Sequence, residues 1–409
     1  MPMPRRAVAP RPEPFAEFRK LFPGSDRRIY MNVSARGLIA RPVRAAMDAF
    51  LDQRMDGSVN KAWMFERAEA TRARFARLIG ASPDEIAFTK NISEGINAFA
   101  NALPWAEGDN VVLCESVEHP ANILPWLNLQ RRCGIGIKAV ADADGHIPVE
   151  RLIEAVDART RVVSVSSISF SPGFRVPLAE LAAECRARGV LLFVDAAQSI
   201  GLQQIDVETL GIDALVTSTQ KGLLALYGAG FLHVRRAVAD RMQPVYLSRA
   251  GAVGGAGHEA ARIQGTDWDH APGARRFDVG NHNFLALIAV ERSMEMLEGL
   301  GIARVETHVR NLAQRLAVGV AEAGLPLFGD VDDPRRAHIV CVGHGLSDEH
   351  DSTRDKRMAD LHQWLEANGV ALTIRRGLLR FSLHGYNDTG DVDATLDLIR
   401  RWPGRSGTA

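Results

Sequence analysis

The chain has 409 residues, 49 basic and 49 acidic side chains, no formal net charge and 46% hydrophobic residues, a length that suits one large domain plus a smaller one. A neutral balance without a long basic run excludes a phosphate-backbone binder. No apolar stretch nears the roughly 18 to 20 residues of a membrane span, and the start MPMPRRAVAPRPEPF has no hydrophobic signal core, so a soluble protein without membrane association is expected.

Residues 1–28 are rich in Pro and Arg and read as an extended arm. From there the chain alternates helical patterns with the apolar runs EIAFT, NVVLCES, GIGIKAV, RVVSVSSIS, VLLFVD, ALVTS and GAGFLHV. Unbroken Val/Ile/Leu runs between helices indicate strands buried on both faces, hence a largely parallel sheet with right-handed crossovers. In one crossover Pro177 opens a helix, Leu178, Leu181 and Ala182 face inward, and Gly189 closes it before VLLFVD. Residues 250–280 hold many glycines without periodicity and read as a long loop. Beyond about 283, longer amphipathic helices (HVRNLAQRLAVGVAEAG, MADLHQWLEANG) and the strands AHIVCVG and LLRFSLH predict a second, smaller α/β domain. The expected division is an arm over 1–28, a large domain over 29–285 and a small domain over 286–409. The four cysteines, Cys114, Cys133, Cys185 and Cys341, form no CxxC pair, so no disulfide framework or zinc site is indicated and a reducing cytoplasm fits.

Only six of the 49 basic residues are lysines, and one of them, Lys221, sits between apolar runs in TSTQKGLLALYGAG. Lysine can lose its proton and act as a nucleophilic amine, which arginine cannot; the alternative is a lysine that snorkels from a strand end. Asp195 closes VLLFVD, 26 residues earlier, at another strand end, where open α/β sheets bind ligands. The two either form a buried ion pair or grip opposite ends of one ligand. The second arrangement is what pyridoxal 5′-phosphate requires: a carboxylate to keep the pyridine nitrogen protonated and a lysine to hold the aldehyde as a Schiff base. Gln198 lies within reach of the ring hydroxyl. The stretch FTKNISEGINAFANAL supplies Asn91, Ile92, Ser93, Glu94 and Gly95 at a helix start, which serves either as a phosphate cradle or as an ordinary cap. Ser218 is a second phosphate candidate. His119, in CESVEHPANILPW, either lies flat on an aromatic ligand or is structural. Arg380, inside the apolar run LLRFSLHGYN, needs a carboxylate from the protein or from a substrate.

Together these motifs resemble the class V aminotransferase family of fold type I pyridoxal-phosphate enzymes, the group that holds cysteine desulfurases and isopenicillin N epimerase-like proteins. The resemblance runs from about Tyr30 to about Arg400 and rests on the ordered set SEGIN, EHPAN, DAAQ, STQK, RRFDVGN and LRFSLHGYN. It implies an α/β fold type I transferase with a mostly parallel seven-stranded sheet in the large domain and a smaller C-terminal α/β domain. It further implies Lys221 as the Schiff-base lysine, Asp195 on the pyridine nitrogen, Gln198 on the ring oxygen and His119 stacked on the ring. Ser93 and Ser218, with Glu94 and Gly95 at the same helix start, would bind the phosphate, and Arg380 the substrate carboxylate. Arg36, Phe170, Arg175 and the 246–270 loop would shape the substrate pocket. Asn281 would reach the neighbour's phosphate in a homodimer whose active site lies at the subunit interface.

The departures from the pattern bear on the reaction. Desulfurases carry a catalytic cysteine on a loop before the carboxylate arginine, whereas ANGVALTIRRGLLRFS has neither cysteine nor room for that loop, and Cys341 lies far upstream. A histidine common before the lysine is Gln220 here, an asparagine position reads Phe170, and Asn281–His282 replaces a Thr–Pro pair. The expected activity is transamination or epimerisation of an amino acid through an external aldimine and a quinonoid. β-Elimination at a carbon–sulfur bond is the runner-up, and a non-catalytic, regulatory cofactor-binding protein the alternative of another class. Two further stretches carry less: GAVGGAG (251–257) looks dinucleotide-like but lacks a flanking strand and helix, and HGLSDEHD (344–351) reads as a solvated turn rather than a metal site.

Overall fold

The computed structural model describes residues 14–254 and 268–406. The seven apolar runs become strands β1 (Ile86–Thr89), β2 (Asn110–Leu113), β3 (Gly136–Ala139), β4 (Thr160–Ser166), β5 (Leu191–Asp195), β6 (Ala214–Ser218) and β7 (Gly230–Val234). They form one sheet in the order β1-β7-β6-β5-β4-β2-β3, parallel throughout except that β7 runs against both of its neighbours. Side chains alternate between faces with period two, so adjacent residues enter different cores. Val112, Val163, Leu192, Leu215 and Phe231 pack on one side, and Val111, Val162, Phe193, Ala214 and Leu232 on the other. Unbroken apolar runs were therefore the right signal: both faces are covered, and only the edge strand β3 stays half exposed. The helix Leu178–Ala187 follows Pro177, and Gly189, at φ +68°, turns the chain back towards β5.

A second sheet of β8 (Ile339–Val342), β9 (Thr373–Arg375) and β10 (Leu378–Ser382) is antiparallel in the order β8-β10-β9. The helices Ile302–Glu322, Lys356–Ala367 and Thr389–Arg401 cover it through a core that includes Leu316, Leu361, Val340, Phe381 and Leu396.

Three segments differ from expectation. Of the expected extended arm over 1–28, the described residues form the helices Pro14–Arg19 and Gly24–Arg27. Their spacing brings Phe18 and Phe22 to one side, where they are buried against His384 and Tyr386, while Arg19 bonds both carboxylate oxygens of Asp391 at 2.7 and 2.9 Å. The helix Phe284–Leu300, expected to open the small domain, packs on the helices Arg41–Asp56 and Lys61–Leu78. Its apolar positions Ala286, Val290, Met294 and Leu297 recur at helical spacing and belong to the core beneath the large sheet. Within the expected 250–280 loop, Ala252–Gly254 pairs antiparallel with Trp268–His270, and a short 3₁₀ helix spans Gly273–Phe277; the rest of the GAVGGAG motif, 255–257, lies outside the described residues.

Candidate active site

Strands β4, β5 and β6 are parallel neighbours, so their carboxyl ends open on one edge of the sheet, with Asp195 the register partner of both Ser166 and Val216. A cavity of about 250 Å³ sits there, and its wall includes Ser93, His119, Phe170, Asp195, Gln198, Ser218 and Lys221. Seven of the residues singled out from the sequence thus converge from five separate segments.

Asp195 is 4% exposed, and its Oδ1 accepts a hydrogen bond from Ala197 N at 2.8 Å. Burial raises its carboxyl above the usual range, against the pull of that N–H and of the Lys221 charge. Lys221 follows β6 in a turn closed by Thr219 Oγ1, which donates to Leu226 O, and by Gly222, where a Cβ would meet Ile200 O at 2.3 Å. Desolvation lowers the Lys221 amine to about 8, and the positive charges of Arg380 and Arg375 add to this, while Asp195 opposes it. A lowered amine pKa enlarges the neutral, nucleophilic fraction near neutrality. Labelling of the ligand-free protein with an amine-reactive acylating reagent, followed by peptide mass mapping, should therefore show Lys221 reacting faster as pH rises through about 8, a window well below that of an ordinary lysine near 10.4.

His119 accepts a hydrogen bond at Nδ1 from Ala121 N (3.1 Å), which assigns its proton to Nε2, and its ring meets Phe170 edge-on at 5.1 Å. Burial first, then the neighbouring positive charges, lower it to about 4, so it is a neutral ring at physiological pH. The loop that carries it is tied down by Glu118, which the sequence reading passed over although it stands next to His119. Glu118 is 3% exposed and accepts from Ser166 N (2.5 Å), Ser166 Oγ (2.5 Å) and Asn122 Nδ2 (3.0 Å). Asn122 in turn accepts from Ser164 Oγ at 2.8 Å, which fastens the loop along β4. Glu118→Ala strands three buried donors at a cost of about 1–3 kcal/mol each. It is expected to lower the melting temperature and to raise the mobility of His119, which the imidazole NMR linewidth reports.

Two buried polar atoms in the cavity wall, Gln198 Oε1 and Ser218 Oγ, have no partner among the described residues, although Gln198 Nε2 donates to Ser34 O at 3.2 Å. Unpaired buried polar atoms are costly, and here they fit a polar ligand. Arg380, 2% exposed, donates from Nη1 to Phe170 O at 2.7 Å and leaves its Nε unpartnered.

Other expected residues stand elsewhere. Glu94 turns back to accept from Lys90 N, and Asn91 Oδ1 takes the Glu94 N–H at 2.9 Å, so the helix Ile92–Ala102 is capped by its own chain. Gly95 is buried on β6, where a Cβ would meet Val216 Cγ2 at 2.5 Å; its role in the fold is close packing. Asn281 and Glu94 line a separate cavity of about 760 Å³. The Arg36 side chain is exposed, although its neighbour Gly37 donates to Gln220 O at 2.7 Å. Arg175 is spent on Glu306 (3.2 Å) and Pro334 O (2.7 Å). In HGLSDEHD, Glu349 pairs with Arg354, and Asp351 with His350 and Arg375.

Cys341, remote in sequence, is the register partner of Arg380 across β8 and β10. Burial pushes its thiol up to about 12, so it carries no thiolate at neutral pH.

The Aminotransferase class-V family signature matches residues 29–395. The uncharacterized aminotransferase YcbU of Bacillus subtilis is 27% identical over 94% of this chain and 96% of its own length. A probable cysteine desulfurase of Methanothermobacter thermautotrophicus is 32% identical over 80% of this chain and 81% of its own. Among solved structures, the apo cysteine desulfurase of Thermococcus onnurineus superposes with a TM-score of 0.82 at 25% identity, covering 94% of this chain and 97% of its own. The cystine C–S lyase C-DES shares the fold with a TM-score of 0.82 at 20% identity over 93% of this chain and 99% of that one.

Proposed function

Because the chain belongs to the aminotransferase class-V family, whose enzymes use pyridoxal 5′-phosphate, we propose that the cavity at the ends of β4, β5 and β6 holds that cofactor and acts on the α-amino group of an amino acid. The observation that carries this reading is the convergence of Lys221, Asp195 and His119 on one cavity whose wall also presents the unpartnered Gln198 Oε1 and Ser218 Oγ. When bound, the cofactor supplies an electrophilic aldehyde and a cationic ring that withdraws electrons from the substrate's Cα bonds.

The chain's own residues do the rest. The neutral amine of Lys221 would hold the aldehyde end of the cofactor and could take the proton from the substrate's Cα. Return of a proton to the opposite face of Cα would give epimerisation, and passage of the amino group to the cofactor would give transamination. Asp195 holds the proton on the ring nitrogen: burial makes an unpaired carboxylate costly there, so a cationic partner is strongly favoured. His119, neutral and fixed by Ala121 N and the Glu118 network, covers the ring and excludes water. Ser93 and Ser218 bind phosphate, Gln198 the ring oxygen, and Arg380 the substrate carboxylate, with Phe170 as both its tether and a wall of the pocket. Arg36, Glu94 and Gly95 take no direct part.

Borohydride reduction of the purified protein followed by peptide mapping tests the reading: the label is expected on Lys221, and a label elsewhere overturns it. β-Elimination at a carbon–sulfur bond is the second reading. The Cys341 thiol, held protonated by burial beside Arg380, leaves persulfide transfer without a nucleophile there, so elimination is the carbon–sulfur chemistry this cavity would support. Pyruvate and sulfide from a cysteine-derived substrate, without keto-acid exchange, would select it. Cys341→Ala is expected to retain turnover within about threefold in either case.

We also propose a homodimer of cytoplasmic location. Val245, Tyr246 and Val279, exposed at 59, 73 and 53%, rim the cavity that includes Asn281, and so large an apolar rim favours a covered face. Light scattering at micromolar concentration is expected to return twice the chain mass.

A further inference from the structure

Arg380 is not the only guanidinium on its face of the small sheet. In the β9–β10 pairing, Thr373 stands opposite Arg380 and Arg375 opposite Leu378. Directly opposed residues share a face, as do residues two apart, so Thr373, Arg375 and Arg380 point to the same side. The diagonal from Arg375 to Arg380 spans about 7–8 Å between backbones, within reach of two long side chains. Arg380 is buried and is tethered to Phe170 O in the cavity wall; its Nε and the buried Thr373 Oγ1 have no partner among the described residues. The Arg375 charge acts on Lys221, on His119 and on Arg380. Its protein partners are its own Ile374 O at 2.8 Å and the carboxylate of Asp351, a residue at the surface that also contacts His350 at 2.6 Å. Arg375 thus has one exposed carboxylate, and Arg380 has none within ion-pair distance among the described residues.

The turn between β9 and β10 ties this arrangement to the loop that carries His119. Arg376, at φ +52°, donates to Ser116 O in the loop that leads to His119, and its backbone carbonyl accepts from Ser347 N at 2.8 Å.

We propose that Arg375 is a second anion-binding group of the substrate cavity, and that the substrate is an amino acid whose side chain ends in an oxyacid, a carboxylate or a sulfinate. The inference rests on the reading of the cavity given above. Arg380 takes the α-carboxylate, and the side-chain acid displaces Asp351 from Arg375. Guanidinium groups suit such planar or forked oxyanions because they donate two parallel hydrogen bonds.

The test is calorimetric titration of the holoenzyme with unreactive acids, succinate and glutarate against butyrate and valerate. At least one dicarboxylate is expected to bind tenfold or more tightly than its monocarboxylate of equal chain length. Arg375→Gln should weaken the dicarboxylate at least tenfold more than the monocarboxylate, and Asp351→Asn should tighten the dicarboxylate by freeing Arg375. A fall caused only by misfolding would weaken both acids alike and would leave the Asp351→Asn gain in place. In turnover, aspartate, glutamate and cysteine sulfinate are compared with asparagine and glutamine, which separates carboxylate from sulfinate side chains. Equal affinity for mono- and dicarboxylates, or no tightening in Asp351→Asn, overturns the proposal. Should borohydride label Lys221 while that happens, only this inference fails; a label elsewhere removes the cofactor reading instead.

Discussion

Lys221→Ala is expected to abolish covalent capture of pyridoxal 5′-phosphate and to cut turnover at least about 10³-fold, in line with the loss of a positioned proton-transfer group. Two properties of position 221 produce so large an effect. The amine and the Asp195 carboxyl belong to the wall of one cavity, and Lys221 is the one described lysine in that wall. Desolvation holds it at about 8, which leaves part of it neutral at physiological pH. Lys221→Arg should be equally inactive, because a guanidinium keeps its charge and cannot attack a carbonyl carbon. The absorbance of the purified variant after addition of the vitamin, together with single-turnover rates, checks both. An alanine variant that still turns over at more than a tenth of the wild-type rate is incompatible with the role given to Lys221.

Asp278→Ala is expected to cost about 3 kcal/mol of folding stability, because it takes from the buried Arg72 the closer of its two carboxylates, leaving Glu69 at 3.3 Å, and strands the Phe88 N–H. Arg72 and Asp278 are 1% and 4% exposed in their side chains and meet at 2.7 Å. Arg72 also donates to Ile86 O at 2.5 Å and lies 4.3 Å above the Phe88 ring, while Asp278 Oδ1 takes the Phe88 N–H at 2.9 Å. The pair therefore clamps β1, the antiparallel-paired edge strand, and with it the turn that delivers Asn91 and Ser93 to the site. Urea unfolding should show a lower midpoint with an unchanged slope. Asp278→Asn, which keeps an acceptor for Phe88 N, should cost less than the alanine. Combining it with Arg72→Met should recover part of the loss, since the coupling between the two is non-additive. Cofactor affinity should fall in parallel with stability in Asp278→Ala, because Asn91 and Ser93 in the cavity wall follow directly on β1.

The strands and the chemistry at their ends were legible because both are local properties of the chain. An unbroken run such as VVSVS reports burial on both faces, which only a sheet covered on both sides provides, and parallel strands then bring their carboxyl ends to one edge. Asp195, Ser218 and Lys221 sit at or just beyond such ends, so their convergence follows from strand direction alone. His119 and Phe170 lie in the loops after β2 and β4 and arrive at the same edge for the same reason. The unusual rarity of lysine made position 221 visible before any pairing was known.

What stayed hidden in the sequence are the relations that cross between elements. Nothing in the motif around His119 marks Glu118, yet its three hydrogen bonds run to β4 and to a helical turn. Cys341 seemed too distant to matter and is the register partner of Arg380. The sequence placed the helix Phe284–Leu300 in the small domain, but its apolar stripe found its partners in the helices Arg41–Asp56 and Lys61–Leu78. Glu94 looked like part of a phosphate cradle, and the capping of its own helix claimed it. Sequence alone determined which segments bury themselves and which side chains can do chemistry, since hydrophobic period and functional group are written residue by residue. Strand order and register decided which of those groups face one another, because ladder hydrogen bonds join segments tens to hundreds of residues apart and carry no mark in either segment alone.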